Sequence, residues 1–108
     1  MSNPRERRAQ KRTPIQLPVK VRAKGSKAAQ QSAQTRDLSS SGIFLYSESA
    51  LAPGTKLELV LMLPSQLGIG SGGWTLCQAS VVRVEKSDPK GVGIAATFDR
   101  IEQLPELT

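Results

Sequence analysis

The sequence predicts an all-β fold: a small six-stranded antiparallel β-barrel with a flexible basic N-terminal arm and a short C-terminal helical turn. Three observations predict it. Six short segments alternate in polarity or are rich in β-forming residues, turn chemistry separates most of them, and almost no stretch carries a helical period. A sandwich would also fit this pattern, but a closed barrel best removes the exposed strand edges that invite aggregation. At 108 residues the chain can bury one core, so a single domain is expected, with residues 1–14 as the arm and 15–108 as the barrel.

The arm is polar, contains Pro4 and Pro14, and has no apolar period. The first strand is predicted over residues 15–23, where Ile15, Leu17, Val19, Val21 and Ala23 alternate with polar or proline neighbours. Pro18 within it implies an edge position or a bulge. Residues 24–33 are rich in Lys, Ser, Gln and Ala and predict a loop, with room for a helical turn or two over 27–33. The second strand includes 34–38, and Ile43-Phe44-Leu45-Tyr46 forms the third.

Ala52-Pro53-Gly54-Thr55 has turn chemistry, because proline presets φ at its second position and glycine accepts a positive φ at its third. The fourth strand follows over 56–63, with Leu57, Leu59, Leu61 and Leu63 facing one way. A glycine-rich loop over 64–73 leads to the fifth strand over 74–86. The alternation there slips around residues 79–82, as an inserted bulge residue would make it. After a turn over 87–91, Val92, Ile94, Ala96 and Phe98 supply one face of the sixth strand, and residues 100–108 are expected to pack as the closing helical turn.

The net charge is +6, but it is local: residues 1–27 hold nine Lys or Arg against Glu6 alone, and the remainder holds six against eight acids. Such a segment attracts phosphate-bearing or acidic partners, or simply aids solubility. Cys77 is the only cysteine, so no intrachain disulfide can form, and burial is expected for it. No apolar stretch follows the basic N-terminus, and the run 59–63 is far too short to cross a bilayer. A cytoplasmic protein without membrane insertion is expected.

The chain contains no histidine, which removes the commonest general base and the imidazole metal ligands. Neither catalysis nor a metal site nor a cofactor is expected. The glycines at 68, 70 and 73 match the spacing of a dinucleotide fingerprint, but β-forming residues follow where that fingerprint requires a helix. A hairpin loop is the better reading.

Two motifs remain. Arg8 and Arg12 lie four apart beside Arg7 and Lys11, and a guanidinium can grip a phosphate bidentately or meet guanine O6 and N7 in the same geometry. In Asp37-Leu38-Ser39-Ser40-Ser41-Gly42, the carboxylate can accept hydrogen bonds from guanine N1–H and N2–H₂, or from backbone amides two residues on. Ser39 can donate to a phosphate or a base, and Gly42 would permit a positive φ and a close ligand. For the hexapeptide taken alone, an ordinary polar turn between strands is the better reading.

Arg-x-x-x-Arg ahead of the first strand and Asp-x-Ser-x-x-Gly some 25 residues later together resemble the PilZ domain family. The stretches 13–21, 81–84 and 91–98 resemble that family's first, fifth and sixth strands, and the likeness spans about residues 7–101. The resemblance implies a six-stranded barrel that binds the bacterial second messenger cyclic di-GMP. Arg8 and Arg12 would hold phosphate and the guanine Hoogsteen edge, while Asp37, Ser39 and Gly42 form the base-binding turn. Arg7, at the position preceding the pair, implies two ligand molecules per protomer. Ligand binding would order the arm and so signal to a downstream protein.

Two other readings stand beside it: a small basic barrel that binds RNA or single-stranded DNA, and a ligand-free adaptor of the same fold. Few aromatics are present to stack bases, which disfavours the first. Trp74 could stack on a ligand, although a core or rim position is the simpler expectation.

Overall fold

A computed structural model of the chain describes residues 12–25, 30–48, 51–68, 72–87 and 91–105. Seven strands follow one another: β1 (Thr13–Pro14), β2 (Pro18–Ala23), β3 (Gln31–Leu38), β4 (Gly42–Ser47), β5 (Lys56–Leu63), β6 (Gly73–Ser87) and β7 (Gly91–Gln103). All pairings are antiparallel, in the order β1-β3-β2-β5-β6-β7-β4. Pairing of β3 with β4 closes six strands into a barrel and leaves β1 as the extra strand. The closed barrel is thus the solution this sequence adopts.

The four leucines of β5 supply the heart of the core, each no more than 2 % exposed. Small partners on the facing strand make room for them: Leu59 is in register with Cys77 and Leu57 with Ala79. Val19, Val21, Ile43, Leu45, Val81, Ile94 and Ala96 complete the filling. Alternating large and small side chains in this way lets a narrow barrel pack without voids.

The expected first strand is interrupted. β1 and β2 lie along the same edge of β3, and residues 15–17 bow out between them. Pro18 has no N–H to continue the ladder, so the Thr35 hydroxyl bridges the gap: it donates to the Ile15 carbonyl at 2.6 Å and accepts from Leu17 N–H at 2.8 Å.

Other departures also have physical causes. Gln31, Ser32 and Ala33 were expected in a loop but pair with Val21, Lys20 and Val19, so β3 begins earlier than polarity suggests. The helical turns considered for 27–33 fall partly on residues 26–29, outside the described residues, and 31–33 are strand. In place of a closing helical turn from residue 100, β7 runs on to Gln103, with Arg100 to Gln103 pairing along Gln78 to Thr75. Residues 106–108 lie outside the described residues.

The phase slip read near residues 79–82 is a bulge at Val82, the residue inserted between Val81↔Ala96 and Arg83↔Ala95. The turn at Ala52–Thr55 closes with Thr55 N–H on the Ala52 carbonyl, Gly54 taking φ +92°. Among the described residues no helix is long and apolar enough to cross a membrane.

Cys77 sits fully inside the barrel, and burial pushes its thiol up to about 11 from an ordinary 9.0. Because the folded thiol holds its proton to higher pH than the unfolded one, unfolding releases a proton between those values. Stability therefore falls as pH rises from 9 to 11. Alkylation with iodoacetamide at pH 8 should leave the folded protein unlabelled and label it fully in denaturant; rapid labelling of the native protein would contradict the interior placement.

Candidate ligand site on the outer wall

The two sequence motifs meet on the outside of the barrel where β1, β3 and β4 run together. β1 positions the first: Thr13 pairs with Leu38 and Pro14 with Asp37, which brings the preceding Arg12 alongside the end of β3. Arg12 Nε donates to Asp37 Oδ1 at 2.6 Å, across 25 residues of sequence, and its Nη2 lies 2.6 Å from the same oxygen. Arg7 and Arg8 lie outside the described residues.

Asp37 is 8 % exposed, and its register partner on β4 is Phe44. Its second oxygen is also occupied: Arg36 Nε donates to Oδ2 at 2.8 Å. Neighbours on a regular strand point to opposite faces and could not pair like this. A bulge makes it possible, since Arg36 is the inserted residue between Thr35↔Leu45 and Asp37↔Phe44. Hydrogen bonding to Asp37, and secondarily to Tyr46, raises the Arg36 pKa above its ordinary value, so its charge is permanent.

Ile43 and Leu45 point into the core, so Phe44 between them faces outward, yet only 2 % of it is exposed. Arg36 covers it, with the guanidinium carbon 3.7 Å from the ring centroid, and Tyr46 meets it edge-on at 5.7 Å. Gly93 makes the space: a Cβ there would come 2.6 Å from the tip of the Phe44 ring.

The turn after Asp37 is built by Ser39. Its hydroxyl oxygen accepts from Ser41 N–H and Gly42 N–H, each at 3.2 Å, and its own N–H donates to the Gly42 carbonyl at 2.9 Å. The Asp37 carboxylate is thus held by arginines, and Ser39 fills the local capping role that an Asx turn would have given to Asp37.

Gly42 is required for a reason other than the expected positive φ, since it is absent from the positive-φ glycines. A Cβ at Gly42 would lie 2.6 Å from the Ala96 carbonyl oxygen, so glycine here lets β4 approach β7. The Ser41 carbonyl, accepting from Phe98 N–H at 2.9 Å, ties the turn to β7 as well.

Arg12, Asp37, Ser39 and Gly42 are therefore brought together, and Arg36 with Phe44 joins them although neither was singled out from sequence. Nothing in the sequence marks Arg36: that Thr35 and Leu38 both face inward at a spacing of three, which a strand allows only with a bulge between them, appears only in the folded chain. On the same wall a recess of about 230 Å³ is lined by Ser32, Ala33, Gln34, Tyr46, Ser47 and Glu48. Trp74 lies elsewhere, on β6 opposite Met62 of β5, and is 54 % exposed, so it is no core residue.

Among solved structures the chain is similar to the Bacillus subtilis inhibitor of motility MotI/DgrA, with a TM-score of 0.66 and 17 % identity over 84 % of this chain and 42 % of that one. It is also similar to the PilZ domain of CeSA from a cellulose-synthesizing bacterium, with a TM-score of 0.57 and 20 % identity over 81 % of this chain and 79 % of that one. The chain thus spans less than half of the first relative. At these identities the likeness establishes the fold. No curated protein sequence matches. The model of the PilZ domain, a binding and adaptor domain, matches residues 6–106, and the chain belongs to the PilZ domain family.

Proposed function

We propose that the chain is a receptor for cyclic di-GMP, bound on the outer wall by Arg7, Arg8 and Arg12 from one side and by Asp37, Ser39 and Gly42 from the other. The observation that carries this reading is the Arg12–Asp37 contact, which joins the two motifs into one place. Family membership supports it.

The site's chemistry suits the ligand. A ring of two guanylates offers two phosphates for guanidinium groups and two guanine edges rich in N–H donors, which match a carboxylate. Arg12 would exchange part of its contact with Asp37 for phosphate, and the freed oxygen would accept from guanine. Residues 1–14 then act as the ligand-binding arm: the phosphates draw Arg7 and Arg8 against the turn, and the new surface is read by a protein partner. No cofactor takes part, and binding takes place in the cytoplasm, where a nucleotide messenger is available. The structural relatives include an inhibitor of motility and a domain from a cellulose-synthesizing bacterium, so the process governed differs among proteins of this fold.

Isothermal titration tests the reading. The wild type should bind cyclic di-GMP at micromolar concentrations with two molecules per protomer, and Arg12→Ala should weaken binding about tenfold, the loss of roughly 1–3 kcal/mol expected for a bidentate contact. Absence of heat from the wild type would reject it. Salt-sensitive shifts of random oligonucleotides that survive Asp37→Ala would favour the nucleic-acid reading instead. Partner capture independent of the messenger would favour a ligand-free adaptor.

A further inference from the structure

From the outer wall we infer that Arg36, braced by Phe44, is a stacking shelf for a planar purine base, set beside the carboxylate that reads that base's edge. The inference rests on the proposed cyclic di-GMP reading and assigns Arg36 a part in it beyond the two motifs.

Four features build the shelf. The β3 bulge at Arg36 turns its side chain to the same side as Asp37. The bond from Nε to Asp37 Oδ2 fixes one edge of the guanidinium. The Phe44 ring supports it from below at 3.7 Å, and the missing side chain of Gly93 lets that ring lie where it does. The Arg36 side chain nevertheless remains 47 % exposed.

An outward-facing phenylalanine roofed by an arginine, with Tyr46 at its edge, is an unusual use of a barrel wall. Ion pairing with Asp37 alone would require neither the ring nor the glycine beneath it. A guanidinium is planar, delocalised and weakly hydrated, so a second π-face can settle on its open side without the cost of stripping a compact ammonium of water. The order would be Phe44, Arg36, base. The recess beyond Tyr46 leaves the wall uncrowded on that flank. Arg36 also acts through Asp37: by holding Oδ2 it fixes the direction in which the carboxylate offers its remaining lone pairs.

Charge and shape can be separated by Arg36→Lys, which keeps the cation and removes the plane. Titration of cyclic di-GMP into this variant should show about tenfold weaker binding than the wild type, as expected when a stacking partner is lost. The melting temperature of the free variant should stay close to wild type, because the replaced side chain is half in solvent. In the wild type, NMR of the Arg36 side chain should show its protons moving upfield on saturation, under the ring current of a stacked base, which a purely structural arginine would not do. If the wild type binds and Arg36→Lys binds equally well, or the Arg36 protons stay in place, the shelf is refuted and the receptor reading stands. If the wild type gives no heat with cyclic di-GMP, both fall together.

Discussion

Asp37→Ala is expected to weaken cyclic di-GMP binding about a hundredfold while leaving the barrel folded. The carboxylate is nearly enclosed and both its oxygens are engaged, so its removal takes away the charged acceptor that the proposed site offers to guanine N–H donors. Truncating one partner of an enclosed charged contact costs about 2–5 kcal/mol of affinity, partly because the groups it would have met are left enclosed and unpaired. Here those are the guanine N–H donors of the bound ligand.

In the free protein the same change should be mild. Arg12 and Arg36 are 46 % and 47 % exposed at the side chain and can turn to water, so the lost ion pairs are worth about 1 kcal/mol or less. Titration calorimetry and thermal melting on one preparation check both halves. A variant that melts far below wild type would show that Asp37 holds the barrel together, and one that binds normally would remove it from the site.

Gly42→Ala is expected to do the reverse and damage the fold first. Its new methyl would stand 2.6 Å from the Ala96 carbonyl oxygen, a backbone atom that cannot swing away, so β4 and β7 must separate at the turn. Such overpacking costs about 1–3 kcal/mol, and a rigid neighbour places this site at the upper end. Each kcal/mol corresponds to about 4–8 °C in a domain of this size, so the melting temperature should drop by at least about 12 °C. Gly54→Ala provides the comparison: there φ is +92° with nothing within 4 Å, so only backbone strain of about 1–2 kcal/mol is added. Equal melting temperatures for the two variants would show that close approach to β7 is not what glycine at 42 provides.

Where one face of a strand is wet and the other dry, the fold was legible in the sequence. The leucine alternation of β5 and the slipped phase in β6 both translate directly into structure. Residues 31–33 were illegible because the start of β3 is exposed on nearly every side chain, so backbone pairing with β2 alone makes it a strand. The same holds for the end of β7, where the exposed Arg100 and Gln103 are set in register by Gln78 and Thr75 of β6. Local composition is silent about pairing of this kind.

The candidate site divides in a similar way. Asp37, Ser39 and Gly42 stand in one short turn and could be read as a unit, but what each does depends on distant residues. Gly42 answers to Ala96 and Asp37 to Arg12, and Ser39 takes over the capping that Asp37 gives up. Arg36 reads locally as one more solvated cation. Only the pairing of β3 with β4 puts it over an aromatic ring.

β6 pairs with β5 only as far as Ser80 but continues with β7 to Ser87. This overhang is a strip of main chain of the kind that recruits foreign strands into fibrils. Its residues are Val82, Arg83, Val84, Glu85 and Lys86, with Arg83 and Glu85 paired at 2.9 Å. A parallel, in-register copy would align like charges directly above one another, which disfavours that mode of growth. The charges of Arg83, Glu85 and Lys86 thus guard the length of β6 that β5 leaves uncovered.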